Sequence, residues 1–247
     1  MISVLLAARK DSKYLAKFLM GYLENTVDSL DVELLVMMHE EDTWNKELVE
    51  YLTANEDIMF FTENKGLGRN GLHVYYNDLL PFTSGNWIVY FCEDHFITLK
   101  GWDAYVRQII AGGSRSLKVT EFEESEPLNP TEPWCIVPKF ENVGAMNQIV
   151  SKGYIKAMGG YLGRHGNIDS YLNDVNRLLP QERIIKMDDP AFYDFTHDSP
   201  SPLDDVHTKT PLSEEGKALP KYTDHVVQKW IDEDAEKIRR ALDGLQR

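Results

Sequence analysis

The first hundred residues alternate between short apolar runs and segments in which apolar residues repeat at helical spacing. The apolar runs have the length of strands and lie at residues 2–8, 32–38, 58–61 and 87–92. The helical patterns lie between them, at residues 14–23, 44–52 and 72–80. A strand, a helix and a second parallel strand form a βαβ unit, and such units build a parallel sheet covered by helices. The sequence therefore predicts an α/β fold with a central, mostly parallel sheet flanked by helices.

The pattern becomes irregular after a helix predicted at residues 102–110. Residues 121–138 hold four prolines among acidic residues, which predicts a long excursion over the surface. Helical patterns return at residues 147–158 and 168–179, which end at a Gly-Gly pair and at a proline, respectively. An amphipathic helix is predicted at residues 226–245. This order of elements fits a single domain with an irregular C-terminal part.

Charge and cysteine content exclude several classes of protein. The net charge of −14 argues against a nucleic-acid partner, because such partners require a basic surface that contacts phosphates. Two cysteines, Cys92 and Cys135, are too few for a disulfide framework. No apolar run approaches the ~18 residues that span a bilayer, and the N-terminal run lacks the flanks of a signal peptide. We therefore expect a cytoplasmic protein without an integral membrane segment.

An acidic cluster follows the fourth predicted strand. Glu93, Asp94 and His95 come directly after the apolar run at residues 87–92. Open α/β sheets bind ligands outside the carboxyl ends of their strands, and these side chains can hold Mg²⁺ or Mn²⁺ together with substrate phosphates. On these three residues alone, a solvated acidic turn is the commoner interpretation.

The order of motifs around this cluster adds information. Asn64-Lys65-Gly66-Leu67-Gly68-Arg69-Asn70-Gly71 precedes a predicted helix, the turn Ser84-Gly85, the fourth strand and the acidic cluster. Over roughly residues 2–180 this order resembles the family 2 inverting glycosyltransferases, which belong to the nucleotide-diphospho-sugar transferase superfamily. The resemblance implies a single Rossmann-like GT-A domain at residues 1–220, followed by a C-terminal amphipathic helix at residues 221–247. Within that domain it implies a nucleotide-sugar-binding half at residues 1–100 and an acceptor-side half at residues 101–220.

The same resemblance implies an activity. It implies a metal-assisted glycosyltransferase that uses Mn²⁺ or Mg²⁺. This enzyme would move a hexosyl or related sugar from a UDP-, GDP- or dTDP-linked donor to a hydroxyl acceptor, which we expect to be a saccharide.

Roles for individual residues follow from the resemblance as well. Glu93, Asp94 and His95 stand on the D-x-D positions, which bind the metal and the donor diphosphate, although Glu and His replace the two outer aspartates. His197 resembles a C-terminal histidine that returns to the metal. Met38 or His39 stands at the position where the family has an acidic residue that recognises uracil. The remaining nucleotide and phosphate positions fall on Ala8, Arg9, Lys65, Gly68 and Arg69.

An inverting transfer needs a general base that takes the acceptor proton. Asp169 matches the family position best, and in the first turn of a helix the helix dipole is expected to keep it ionised. Asp174 is the alternative base. His165 is a candidate acceptor contact, and Trp134 is a candidate for stacking on a sugar ring.

Two other functions stay open on the sequence. A nucleotidyltransferase can share this α/β core, but the turn after the first strand, residues 7–12, lacks the glycines of its phosphate-binding loop. A non-catalytic binding module that kept the fold would tolerate the replacements at Glu93 and His95. The oligomeric state stays open, because the C-terminal helix can pack on its own domain or on a neighbour.

Overall fold

The computed structural model describes residues 1–8, 14–40, 46–52, 58–63, 71–92, 94–118, 125–141, 147–194 and 218–245. The strands in these ranges are β1 (Ile2–Ala7), β2 (Val32–His39), β3 (Ile58–Glu63), β4 (Trp87–Cys92), β5 (His95–Ile97), β6 (Cys135–Phe140), β7 (Ile149–Ser151) and β8 (Ile184–Asp194). The α-helices are α1 (Tyr14–Asn25), α2 (Lys46–Leu52), α3 (Leu72–Leu79), α4 (Trp102–Ile110), α5 (Lys152–Met158), α6 (Ile168–Arg177) and α7 (His225–Leu245).

The strands form one sheet in the order β3-β2-β1-β4-β7-β6-β8-β5. Strands β1 to β4 run parallel to one another, as the sequence predicts. Strand β7 is antiparallel to β4 and β6, whereas β8 is parallel to β6 and antiparallel to β5. Only two residues separate β4 from β5 along the chain, so the end of the sheet must return to its middle. The sheet is therefore curled.

The second half of the chain holds more strands than the sequence pattern predicts. The helix predicted at residues 147–158 is wrong in its first turn, where β7 stands, and α5 begins after Ser151, whose hydroxyl accepts the Tyr154 N–H. The predicted surface excursion ends in β6, and β8 falls where no element was predicted. Pro138 and Pro190 lie where the β6–β8 register shifts. Proline has no backbone N–H to donate to a neighbouring strand, so a sequence segment that contains proline is not readily predicted as a strand.

Helices cover both faces of the sheet. Strand β1 is buried on both sides, with Val4 and Leu6 in the core beneath α1 and α4. Leu5 and Ala7 face the second core, beneath α3, α5, α6 and α7. This alternation is typical of a strand buried between two helical layers.

The C-terminal helix α7 packs on its own domain. Its apolar side chains complete the second core; they are Val227, Ile231, Ala235, Ile238 and Leu242. The fully buried Asp234 accepts hydrogen bonds from Tyr161 at 2.6 Å, Arg164 at 2.7 Å and Lys237 at 3.0 Å. These contacts fix α7 to the segment between α5 and α6. Among the described residues, no helix has both the length and the apolar character required to cross a membrane.

Candidate active site

The carboxyl ends of the parallel strands bring several predicted residues to one edge. Ala8 follows β1 and donates its N–H to Met37 O at 2.9 Å. Ala7 pairs with both Met37 and Cys92, so the ends of β2 and β4 lie on either side of β1. His39 ends β2 two residues beyond Met37. The edge at which the sequence places the nucleotide-sugar site is therefore formed by these three strands.

A cluster of possible metal ligands lies where β4 turns into β5. Cys92, Asp94 and His95 each offer one ligand atom, and these three atoms lie within 4.8 Å of one another. His95 is buried, whereas Cys92 and Asp94 are half-buried. The Tyr76 hydroxyl of α3 lies 3.4 Å from Cys92 Sγ and donates to Phe91 O at 3.0 Å, which fixes the end of β4.

His95 lies between two carboxylates. Its Nε2 atom is 3.9 Å from Asp94 Oδ1 and 3.9 Å from Asp194 Oδ2. Asp194 is almost fully buried and pairs with His95 in the β5–β8 ladder. The Nδ1 atom accepts the backbone N–H of Cys92 at 3.3 Å and lies 2.6 Å from Asn147 Nδ2. The imidazole is thus held by contacts on both of its nitrogens.

Asp169 stands in the first turn of α6 and belongs to the same site. Burial raises the pKa of its carboxyl above 3.8, and the charges of Asp94 and Asp194 raise it further. His95 and a hydrogen bond with the Tyr90 hydroxyl act in the opposite direction. Burial therefore acts against ionisation of Asp169, and the expectation that the helix dipole keeps this carboxyl ionised stays a prediction. The structure brings the candidate base and the candidate metal ligands together.

A chain of buried polar groups supports this face of α6. The single Tyr90 hydroxyl proton is shared between Gln148 Oε1, at 2.6 Å, and the Asp169 carboxylate. Gln148 Nε2 donates to Asn173 Oδ1 at 2.6 Å. Asn173 lies four residues after Asp169 and therefore on the same face of the helix. Burial raises the pKa of Tyr90 well above its ordinary value of 10.0, so this phenol stays protonated. The chain ties α6 to β4 beside the candidate base.

Two other predicted residues form hydrogen bonds within the fold. Asp174 binds Arg177 at 2.7 Å and the Tyr222 hydroxyl at 2.5 Å. Both ring nitrogens of His165 are used inside the fold, by Asn167 N–H and by Pro220 O, each at 3.0 Å.

Trp134 does not lie at the candidate site. Its carbonyl accepts the N–H of Ser151, which pairs with Trp87 at the start of β4, so Trp134 lies at the opposite edge of the sheet from Asp94. The guanidinium of Arg183 lies 4.3 Å from its ring centroid. Trp134 therefore lies away from the candidate metal ligands, and its stacking on a sugar ring stays a prediction.

Some predicted site residues lie outside the described ranges. They are Arg9, Lys65, Gly68, Arg69, Glu93 and His197. Sequence reasoning in turn missed the roles of Asp194, Asn147 and Tyr90. The one signal in the sequence was weak: Asn147-Gln148 is a polar pair immediately before an apolar run.

No family model and no curated protein matches the sequence. Solved structures do match. TarS 1–349 of S. aureus in complex with UDP is 14% identical with a TM-score of 0.54, and the match covers 78% of this chain and 59% of TarS 1–349. The complex of TarS 1–349 with UDP-GlcNAc is also 14% identical, with a TM-score of 0.53 and coverage of 96% and 72%, respectively.

The mannosyltransferase PcManGT from Pyrobaculum calidifontis, in complex with GDP-Man and Mn²⁺, is 10% identical with a TM-score of 0.58. The match covers 98% of this chain and 74% of PcManGT. The chain thus spans from about three-fifths to three-quarters of these proteins. At such identities the likeness establishes the fold. The α/β chain has the fold of the GT-A-type, nucleotide-sugar-dependent glycosyltransferases.

Proposed function

We propose that this protein is a glycosyltransferase that moves a hexosyl or related sugar from a nucleotide-diphosphate donor to a hydroxyl acceptor of a saccharide, with inversion. The main observation behind the proposal is that Asp169 interacts electrostatically with Asp94 and Asp194 at the carboxyl edge of a GT-A-type sheet. A carboxylate with a raised pKa beside a cluster of possible metal ligands is typical of a functional site and is compatible with a metal-assisted transfer.

The possible ligand atoms at this edge suit a divalent cation. Mg²⁺ and Mn²⁺ prefer carboxylate oxygens, and Asp94 offers them beside Cys92 and His95. We assign Asp94 to the cation, with Glu93 and His197 as further candidates outside the described residues. A cation bound here would neutralise charge on the leaving diphosphate. Binding of Mn²⁺ with GDP-Man to PcManGT, which has the same fold, supports this assignment.

Asp169 is assigned as the general base. The acceptor oxygen attacks the anomeric carbon, the bond from that carbon to the diphosphate oxygen breaks, and its electron pair leaves with the diphosphate. The acceptor proton passes to the Asp169 carboxylate. A raised pKa favours this role, because a more basic carboxylate takes a hydroxyl proton more readily once it is ionised.

The proposal gives the position of the nucleotide base in the fold and leaves open which base it is. Ala8 and His39 stand at the ends of β1 and β2, where the proposal places the base and ribose. The matched structures bind UDP, UDP-GlcNAc and GDP-Man. The proposal therefore includes UDP-, GDP- and dTDP-linked donors, and we keep the cytoplasm as the predicted compartment.

The test is a panel of UDP, GDP, dTDP and CDP, each with and without Mn²⁺, read by thermal melting. A nucleotide at about a hundred times its dissociation constant stabilises by ~2.7 kcal/mol, which raises the melting temperature by roughly 5–10 °C at this chain length. The sugar donors of the nucleotide that binds are then assayed for hydrolysis and for transfer to saccharides. Binding without hydrolysis or transfer would favour a binding module, and the absence of any shift would contradict the proposal.

A further inference from the structure

The ligand cluster at the end of β4 contains a sulfur atom. Cys92, Asp94 and His95 are the residues whose ligand atoms lie within 4.8 Å of one another. Cys92 is half-buried and is not part of a disulfide. One point of the carboxyl edge therefore offers a sulfur, an oxygen and a nitrogen atom.

The spacing of Cys92 and Asp94 changes the interpretation of the acidic motif. The resemblance to glycosyltransferases places the D-x-D positions on Glu93, Asp94 and His95. Cys92 and Asp94 are also separated by one residue, and the structure brings their ligand atoms together. The described residues thus form a Cys-x-Asp-His arrangement, in which a thiol stands at the first position of the motif.

The ligand atoms lie close to the separations that a bound cation requires. With bonds of about 2.0–2.3 Å, ligand atoms around a tetrahedral Zn²⁺ are about 3.3–3.6 Å apart. The separations of at most 4.8 Å reach this value by small side-chain rotations. The backbone next to Cys92 is fixed, because the Tyr76 hydroxyl donates to Phe91 O at 3.0 Å.

The types of ligand atom determine which divalent cation fits best. Mg²⁺ and Mn²⁺ are suited to carboxylate, carbonyl and water oxygens, whereas sulfur ligands favour Zn²⁺. Catalytic Zn²⁺ sites commonly have three protein ligands and one open position. A set of Cys, Asp and His therefore suits Zn²⁺ better than Mg²⁺ and leaves a position for an oxygen of the donor diphosphate.

Neighbouring carboxylates increase the attraction of this cluster for cations. Asp169 interacts electrostatically with Asp94, and Asp194 Oδ2 lies 3.9 Å from His95 Nε2. Negative side chains in a partly buried site attract a divalent ion more strongly than they would in water. These carboxylates attract any divalent cation, so the sulfur atom is the group that distinguishes Zn²⁺ from Mg²⁺.

We infer that Cys92, Asp94 and His95 form a cation site that prefers Zn²⁺ to Mg²⁺ and Mn²⁺. Cys92 is the ligand that determines this preference. The inference places Cys92, and not Glu93, beside Asp94 at the cation. It rests on the proposed function, because it identifies the cation that the proposed transfer uses.

The first test detects the bond to sulfur. The metal-free full chain is titrated with Co²⁺, whose bonds to sulfur produce a charge-transfer band in the near ultraviolet. We expect this band in wild type and in C135S, which keeps Cys92 as its single cysteine, and its loss in C92S. Absence of the band in wild type, or its persistence in C92S, would overturn the inference.

Cys135 provides the matched control. It is fully buried at the start of β6 and pairs with Val150, which in turn pairs with Ile88 near the start of β4. Melting curves identify a variant that fails to fold. In that case mass spectrometry of alkylated wild type decides: Zn²⁺ should protect Cys92 from the reagent, and lack of protection would overturn the inference.

The second test measures the affinities for Zn²⁺ and Mn²⁺ by calorimetry. Most protein sites bind Zn²⁺ more tightly than Mn²⁺, so the diagnostic quantity is the change in the ratio of the two affinities. C92S should lower the Zn²⁺ affinity by about tenfold or more and the Mn²⁺ affinity by less than about threefold, whereas D94N should weaken both. Equal losses for the two cations in C92S would overturn the inference.

The outcomes separate this inference from the proposed function. Sugar transfer with Mn²⁺ that is equal in wild type and C92S, without a cobalt–sulfur band, overturns the inference and leaves the proposed function standing. The band together with a selective loss of Zn²⁺ affinity in C92S supports the inference. If the same protein transfers no sugar with any of the three cations, the proposed function is contradicted while the cation site stands.

Discussion

Two acidic side chains at opposite edges of the sheet have opposite environments. At the amino edge, Glu33 accepts hydrogen bonds from the Ser3 and Ser84 hydroxyls and from the N–H groups of Ser84 and Gly85. Burial raises its pKa, but these donors outweigh burial and the net pKa is lowered. At the carboxyl edge, burial and two neighbouring acids raise the pKa of Asp169.

The comparison separates structural from chemical use of a carboxylate. Glu33 is supplied with donors, so its charge stabilises the fold. Asp169 has its charge opposed by burial and by like charges, which costs stability and is characteristic of functional sites. Gly85 shows how closely the amino edge is packed, because a Cβ there would lie 2.6 Å from Ser3 Oγ.

The largest effect is expected from a substitution of Asp169. D169N should lower the transfer rate by about 10²–10⁴-fold, the usual contribution of a general base, with the melting temperature maintained. D174N tests the alternative base, because Asp174 lies on the same helix, where it binds Arg177 and Tyr222. Single-turnover transfer measurements check both variants. Equal losses in D169N and D174N would rule out Asp169 as the base.

The next largest effect is expected from a substitution of Glu33. E33Q keeps the size of the side chain but loses the charge that four donors serve, and it should cost about 1–3 kcal/mol in the free energy of unfolding. The folded-state pKa of Glu33 lies below its ordinary value of 4.5, so its contribution is present at neutral pH and is lost as pH falls through the folded-state pKa.

Urea melts of wild type and E33Q from neutral pH down to pH 3 measure this contribution. The difference between the two proteins should be largest at neutral pH and should shrink below about pH 4.5. A difference that grows on acidification would contradict the lowered pKa.

The smallest effect is expected from a substitution of Tyr90, which changes the pKa of Asp169. The Tyr90 hydroxyl lowers the pKa of Asp169, so Y90F should raise that pKa and move the acid limb of the pH–rate profile upward. The base works only when ionised, so activity in both proteins should fall as pH decreases through this limb. Y154F is the control, since the buried Tyr154 hydroxyl binds Asn176 Oδ1 at 2.8 Å. An acid limb that shifts downward in Y90F would contradict the assignment.

Patterns of apolar residues in short segments of the sequence predicted the strands and helices that those segments form. Strands β1 to β4 were visible as apolar runs, and Asp94 and Asp169 follow or begin elements that the sequence marks. Asp194 and Asn147 could not be predicted, because they reach His95 only through pairing of distant strands. The raised pKa of Asp169 also depends on those neighbours, so no property of its own helix predicts it.

The ladder between β5 and β8 has a consequence for how the protein folds. It joins His95 to Asp194, which are 99 positions apart in the chain, whereas β1 and β2 pair residues 30 positions apart. Closing a longer loop costs more chain entropy, and contacts between distant residues slow folding. We therefore expect the parallel half of the sheet to form early and His95 and Asp194 to come together late. The candidate site would then be completed in the last stage of folding, after the helices and most of the sheet have formed.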